Sequence, residues 1–199
     1  WRSSFCGTKS NQNPNLAISS ARSGNVIGGG DWAEDRLIPD AVRALQINET
    51  IKIRNPLSTR PWQHVLEPLS GYLILAENLY KYQLNNKGDL KNPYAESFNF
   101  GPLLNSNKTV KELIDCLLKR WSGSWIELKE KDQPEESHKL HLQIDKSFHQ
   151  LNWEPIWSFE ETISRTINWY KAIEENQLCA KNSCINDIDD YEKKLILKK

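Results

Sequence analysis

The sequence predicts an α/β chain. Three observations carry that prediction. Short alternating or apolar segments recur between amphipathic ones, two Ser/Thr-x-x-Glu capping boxes mark helix starts, and glycine or proline punctuates the boundaries. The first candidate strand is 16–22 (LAISSAR), broken by the glycines of 24–31 (GNVIGGGD). Residues 36–46 read as a helix, with Pro39 in its first turn and Val42 and Leu45 facing inward. A short strand follows at 51–54, then a turn at Asn55-Pro56 and a strand-like segment at 62–66 (WQHVL). Pro68 opens a helix whose apolar stripe is Leu69, Tyr72, Leu73, Ala76 and Tyr80. After a polar loop over 85–93 come a strand at 97–100 and the Thr109/Glu112 capping box. That box precedes an apolar face of Val110, Leu113, Ile114, Leu117, Leu118 and Trp121. A strand at 125–128, a charged loop at 129–136 and an alternating segment at 139–144 lead to the second box, Ser158/Glu161. The helix it opens turns Ile163, Ile167, Tyr170 and Ile173 inward, and from Glu174 the chain reads as a loosely docked helix or polar tail.

Composition narrows the function. The 199 residues carry 26 Lys+Arg against 26 Asp+Glu, so no basic surplus marks a nucleic-acid module. Mean hydropathy is low (−0.66), yet eight Trp, six Tyr and five Phe supply large side chains for a core. No apolar run approaches the roughly 18–20 residues of a membrane span, and residues 1–6 have no apolar signal-peptide region. The expectation is a soluble, cytoplasmic chain with no membrane partner and with Cys6, Cys116, Cys179 and Cys184 as reduced thiols. It starts at Trp1 and contains no Met, so it is expected to be trimmed or a piece of a longer protein.

Several residue sets invite a functional reading. The spacing Gly24-x-x-x-Gly28-x-Gly30 could cradle a dinucleotide pyrophosphate. Against that, Asp31, Glu34 and Asp35 follow at once and would repel phosphate. No acidic ribose binder stands about 20 residues on either, so a flexible strand-to-helix crossing is the expected role. Arg22, Arg36, Arg54 and Arg60 fall at strand ends or loop edges, where guanidinium forks grip phosphates in α/β folds. His138, His141 and His149 lack any carboxylate or thiol completing a metal spacing, so no metal is expected. There is no Gly-x-Ser-x-Gly elbow, Tyr-x-x-x-Lys pair or His-Glu-x-x-His helix, hence no catalytic residue in this chain.

The run 21–40 (ARSGNVIGGGDWAEDRLIPD) and the segments 53–56 (IRNP) and 59–73 (TRPWQHVLEPLSGYL) resemble the CDP-glucose 4,6-dehydratases. These form a family within the extended short-chain dehydrogenases/reductases, the NAD-dependent nucleotide-sugar epimerases and dehydratases. Similarity continues through 98–102 (FNFGP) and 151–155 (LNWEP) to Trp169-Tyr170, over little more than the second half of the family's length. The resemblance implies the last part of a Rossmann-type parallel sheet plus a smaller α/β substrate-binding domain. Residues 1–30 would finish the NAD-binding domain, whose N-terminal half is absent. Residues 31–175 would form mainly the substrate domain, with segments near 62–84 and 97–102 returning to the sheet, and 176–199 would be a tail.

The family oxidises the glucose C4 with NAD, eliminates water across C5 and C6 and returns the hydride to C6, in deoxysugar and surface-polysaccharide biosynthesis. Its cofactor loop and Tyr-x-x-x-Lys pair match nothing in these 199 residues, so NAD is expected for the full-length family and not for this chain alone. What the resemblance places here is substrate contact. Asn25 would meet the sugar or diphosphate, Arg36 and Leu37 would lie along the nucleotide, and Arg54 would flank the nucleoside. Arg60 would grip the diphosphate, Asn99 would sit near the phosphates, and Glu136 and His138 would lie in a closing loop. Gln143 and Asn152 depart from the family's usual Asp and Gly. Implied partners are CDP-glucose or a related nucleotide sugar, a missing N-terminal half and, for the full-length family, a second copy; no nucleic acid is expected. A truncated, inactive remnant or nucleotide-sugar-binding module is the competing reading.

Overall fold

A computed structural model describes residues 1–89, 91–128 and 141–198. The chain runs α1 (Arg2–Phe5), β1 (Ser20–Ser23), β2 (Asn25–Ile27), α2 (Leu37–Gln46), β3 (Ile51–Ile53), β4 (Thr59–His64) and α3 (Leu66–Asn85). It continues β5 (Ser97–Phe100), a 3₁₀ turn (Leu104–Ser106), β6 (Asn107–Thr109), α4 (Val110–Leu118), β7 (Trp125–Glu127), α5 (Asp145–Leu151), α6 (Phe159–Glu174) and α7 (Ala180–Lys198). These elements fall into two compact units. The first comprises 1–23, 67–101 and 142–154; the second comprises 24–66, 102–141 and 155–199. Among the described residues no helix is long and apolar enough to cross a membrane.

In the first unit β1 and β5 pair in parallel, Ser20 opposite Ser97 and Ser23 opposite Phe100. The core is Leu75, Phe98, Phe100, Leu151 and Trp153, where Phe100 meets Tyr72 and Trp153 edge-on at 5.3 and 5.0 Å. Helix α3 does not bury the expected stripe: Leu69, Leu73, Ala76 and Tyr80 are exposed, and Tyr72 is partly buried. The reason is Gly71. A Cβ there would lie 2.2 Å from Phe100 Cδ1, so the bare backbone admits the ring and turns Gly71 and Leu75 toward β5. Helix α5 ends at Asn152 with φ 50° and ψ 38°, the left-handed cap that glycine and then asparagine best tolerate. Asn152 thus adopts a backbone that a glycine at this position would also accept. Gln143 is also local in its work, its carbonyl accepting from Asn99 Nδ2 (2.9 Å) and its side-chain amide donating to Asp145 (2.8 Å).

In the second unit β4 is central, parallel to β2 (Asn25 opposite Trp62) and antiparallel to β6 (Pro61 opposite Asn107). Strand β2 is absent from the sequence reading because Gly24 and Gly28 bracket only three residues. Gly24 is required where it stands, since a Cβ would come within 2.9 Å of the Pro61 ring. Strands β3 and β7 form a second parallel pair. Ile38, Val42 and Leu45 of α2, Leu113, Ile114 and Leu117 of α4, and Ile163, Ile167 and Tyr170 of α6 share one core with Ile51, Ile53 and Trp62. The α4 capping box is complete: Thr109 Oγ1 accepts from the Glu112 N–H, and Glu112 Oε2 accepts from the Thr109 N–H. That backbone donor also holds the Glu112 carboxyl below the usual range. At α6 only half a box forms. Ser158 Oγ accepts from the Glu161 N–H, while the Glu161 carboxylate pairs with Arg165 and Lys194. The polar C-terminal segment is the 19-residue α7, docked through buried Tyr191 edge-on to Trp157 and through Asp187 and Asp190 to Arg165. All four cysteines are free thiols.

The α3 orientation sets a stability contrast. Leu75→Ala should cost about 2–5 kcal/mol, whereas Leu73→Ser should stay within about 0.5 kcal/mol of the parent. Urea denaturation of both variants reads the difference, and a large loss at Leu73 would refute the orientation.

Candidate functional site

A cleft of about 660 Å³ opens in the second unit, at the ends of β2, β3 and β4 and beside the start of α2. Strand alternation puts Arg60 and Trp62 on one face of β4, and both line it. Parallel pairing sets Asn25 opposite Trp62, while Arg54 follows β3 directly. Helix α2 contributes its first turn. Arg36 is its N-cap and provides no side-chain cap, and Pro39, third in the helix, has no N–H to satisfy. The first N–H groups of such a helix lack intrahelical acceptors and favour an anion, and Leu37 and Ile38 both line the cleft.

The cleft's charges are arranged in pairs. Arg36 Nη1 meets Asp31 Oδ2 at 3.1 Å, and Arg54 Nη2 meets Asp35 Oδ1 at 3.1 Å. Arg60 donates Nη1–H to the Thr59 carbonyl at 2.9 Å. In sequence, Asp31, Glu34 and Asp35 read as three carboxylates that would repel phosphate. Two of the three carboxylates are instead matched to arginines lining the same cleft, a tertiary pairing that spacing could not reveal.

The glycine-rich crossing is pinned rather than loose. A Cβ on Gly29 would lie 2.0 Å from Trp169 Cγ, so the indole occupies the space a side chain would need. Tyr170 donates its hydroxyl to the Asp31 carbonyl at 2.7 Å, with the Gly28 carbonyl at 3.4 Å. Burial, with Asp31 nearby, pushes that phenol up to about 12, so it remains a donor. Arg43 donates to the Trp32 and Ala33 carbonyls, and the Ala33 N–H donates to Asp31 Oδ1. Glycine here makes room for protein side chains, indole at Gly29 and proline ring at Gly24, and the loop does not fit a dinucleotide pyrophosphate.

Asn25, Arg36, Leu37, Arg54 and Arg60 therefore share one cleft. Asn99 belongs to the first unit, where Oδ1 accepts from Arg22 Nε at 2.6 Å and Nδ2 donates to the Gln143 carbonyl. Arg22, grouped with the other arginines by sequence, is engaged there as well. Glu136 and His138 lie outside the described residues. His141 Nδ1 is 3.2 Å from Asn107 Nδ2, and among the described residues no cluster of three or more His, Cys, Asp or Glu side chains is placed to hold a metal. Asp31, Asp35 and Lys52 line the cleft without having been singled out as binding residues.

Behind Gly28, His64 is 2% exposed and lies edge-on to Trp157 at 4.7 Å. Its Nδ1 accepts from the Leu66 N–H at 3.3 Å, which places the proton on Nε2, buried without a partner. Burial first, then the Arg165 charge, lowers its pKa from 6.5 to about 3. An unfolded chain takes up this proton below about pH 6.5 and the folded chain does not. The stabilisation is thus complete above that pH and is lost as pH falls toward 3. Between pH 7 and pH 5 the loss should be about 2 kcal/mol. His64→Gln should remove this part of the pH dependence in urea titrations, and a variant with unchanged acid sensitivity would refute the assignment.

No protein-family model matches the chain. The CDP-glucose 4,6-dehydratase of Salmonella typhimurium (strain LT2) is 41% identical over 196 residues, 96% of this chain and 51% of the relative. Among solved structures, a dTDP-glucose 4,6-dehydratase from Streptomyces venezuelae with NAD bound aligns over 78% of this chain and 44% of its own, at TM-score 0.62 and 22% identity. A UDP-glucuronic acid 4-epimerase from Bacillus cereus, in complex with UDP-glucuronic acid and NAD, aligns over 79% and 46%, at TM-score 0.62 and 18% identity. The chain has the fold of the extended short-chain dehydratases and epimerases, and it spans about half the length of the relatives it matches.

Proposed function

We propose that this chain is the substrate-binding portion of a CDP-glucose 4,6-dehydratase, holding the nucleotide diphosphate of its sugar substrate in the cleft of the second unit. The observation that carries the reading is the convergence of Asn25, three arginines and the uncapped start of α2 on that one cleft. A sugar nucleotide presents two linked phosphates, and a guanidinium fork meets such a group with paired, charge-assisted hydrogen bonds. Arg60, on the central strand and partly buried, is the fixed grip. Arg36 and Arg54, on the rim, close on the phosphates and the nucleoside. The Asn25 amide, at the start of β2, can donate to a phosphate or sugar oxygen and accept from a sugar hydroxyl. Asn99, Glu136 and His138 enter the proposal on the family resemblance alone.

NAD would supply the hydride chemistry of the intact enzyme. The glycine crossing of this chain does not fit that cofactor, so its residues bind and orient while redox and proton transfer fall to a further portion of the protein. That portion would continue the parallel sheet along β1, which pairs only with β5 among the described residues. By itself the chain should bind without turnover.

Isothermal titration with CDP-glucose tests the reading. The chain should bind it more tightly than UDP-glucose, and Arg60→Ala should weaken binding about tenfold or more, the worth of a hydrogen bond to a charged group. Equal affinity of the Arg60→Ala and parent chains for CDP-glucose would sink the proposal.

A further inference from the structure

We propose that Asp31 and Asp35 are positioning residues, each holding one arginine of the cleft in readiness and yielding it to the incoming diphosphate. The inference rests on the nucleotide-sugar reading above and adds a role for two carboxylates that neither the motif nor the fold assigns. Both ion pairs lie within the cleft, Arg36–Asp31 and Arg54–Asp35, each at 3.1 Å. Both are wet, with side-chain exposures of 64% and 35% in the first and 60% and 82% in the second. Such pairs are weak and readily exchanged, whereas a phosphate offers an arginine more charge and a bidentate seat.

The two aspartates are built to stay behind when the arginines leave. Asp31 keeps its other oxygen on the Ala33 N–H at 3.0 Å, and its carbonyl is held by Tyr170. Asp35 occupies a left-handed backbone conformation (φ 59°) that Asp and Asn accept more readily than bulkier residues, and its carboxylate faces water. In the empty cleft they keep two long side chains from dispersing into solvent. In the filled cleft they have given up their partners to the anion, and that exchange sets a ceiling on affinity and favours release.

The test is a double-mutant cycle on the full 199-residue chain, with inorganic pyrophosphate and CDP-glucose as probes. Asp35→Asn keeps the backbone preference and removes the charge; it should bind pyrophosphate about three- to fivefold more tightly than the parent. In an Arg54→Ala background the same substitution should gain less than twofold, and Asp35→Glu should restore parental affinity. Asp31→Asn should behave likewise against Arg36→Ala. Unchanged or weaker binding by Asp35→Asn, or a full gain without Arg54, would overturn the inference. If parental binding is lost in Arg60→Ala while Asp35→Asn gains nothing, the cleft reading stands and this inference falls alone. If neither parent nor variant binds either probe, both fall.

Discussion

The second unit depends on how α6 meets the glycine crossing between β2 and α2. Trp169 lies where a Gly29 side chain would otherwise be, and its neighbour Tyr170 reaches the carbonyls of Gly28 and Asp31. A buried phenol that donates to a backbone carbonyl contributes about a kilocalorie per mole when made and costs more when left unsatisfied. The consequence is geometric as much as energetic. With Gly28 and Asp31 fixed, Asp31 and Asp35 stand beside the start of α2, and Arg36 and Arg54 have somewhere to point. The glycines thus serve close packing between protein groups, and the arginines of the cleft follow a few residues further along the chain.

The electrostatics of the cleft follow from exposure. A dry interior would make each Arg–Asp pair strong and hard to exchange, since Coulomb energy scales inversely with the local dielectric. Here the pairs sit at the rim, in water, where screening reduces them to the scale of thermal energy. Arg60 differs by being partly buried on the central strand of a three-stranded sheet. Arg60 therefore sits in a lower local dielectric than the two arginines at the rim.

Local rules made much of this legible in the sequence. The Thr109/Glu112 box forms as spaced, and α2 and α4 bury the faces that their 3.6-residue periods indicate. Local rules failed where a partner outside the segment decides. The stripe of Leu69, Leu73 and Tyr80 has a good helical period, but Phe100 presses on Gly71 and selects the other side of α3. Glu161 has the spacing to cap α6, yet Arg165 and Lys194 compete for its carboxylate and win. At the cleft, Arg36, Arg54 and Arg60 stand out in sequence by their place at strand ends, Asn25 and Leu37 only through the family resemblance, and the structure brings all five to one lining. The pairings of Asp31 and Asp35 were not readable, because an acidic run looks repulsive until its ion pairs are known.

The edge of β1 has a handedness of use. Two identical edges related by a twofold axis meet antiparallel. Self-association along β1 would therefore break the parallel order that β1 and β5 establish. A parallel neighbour from the same chain, returning by a crossover, extends that order. Direction thus separates a twofold-related copy from a crossover strand at this edge before any side chain is compared.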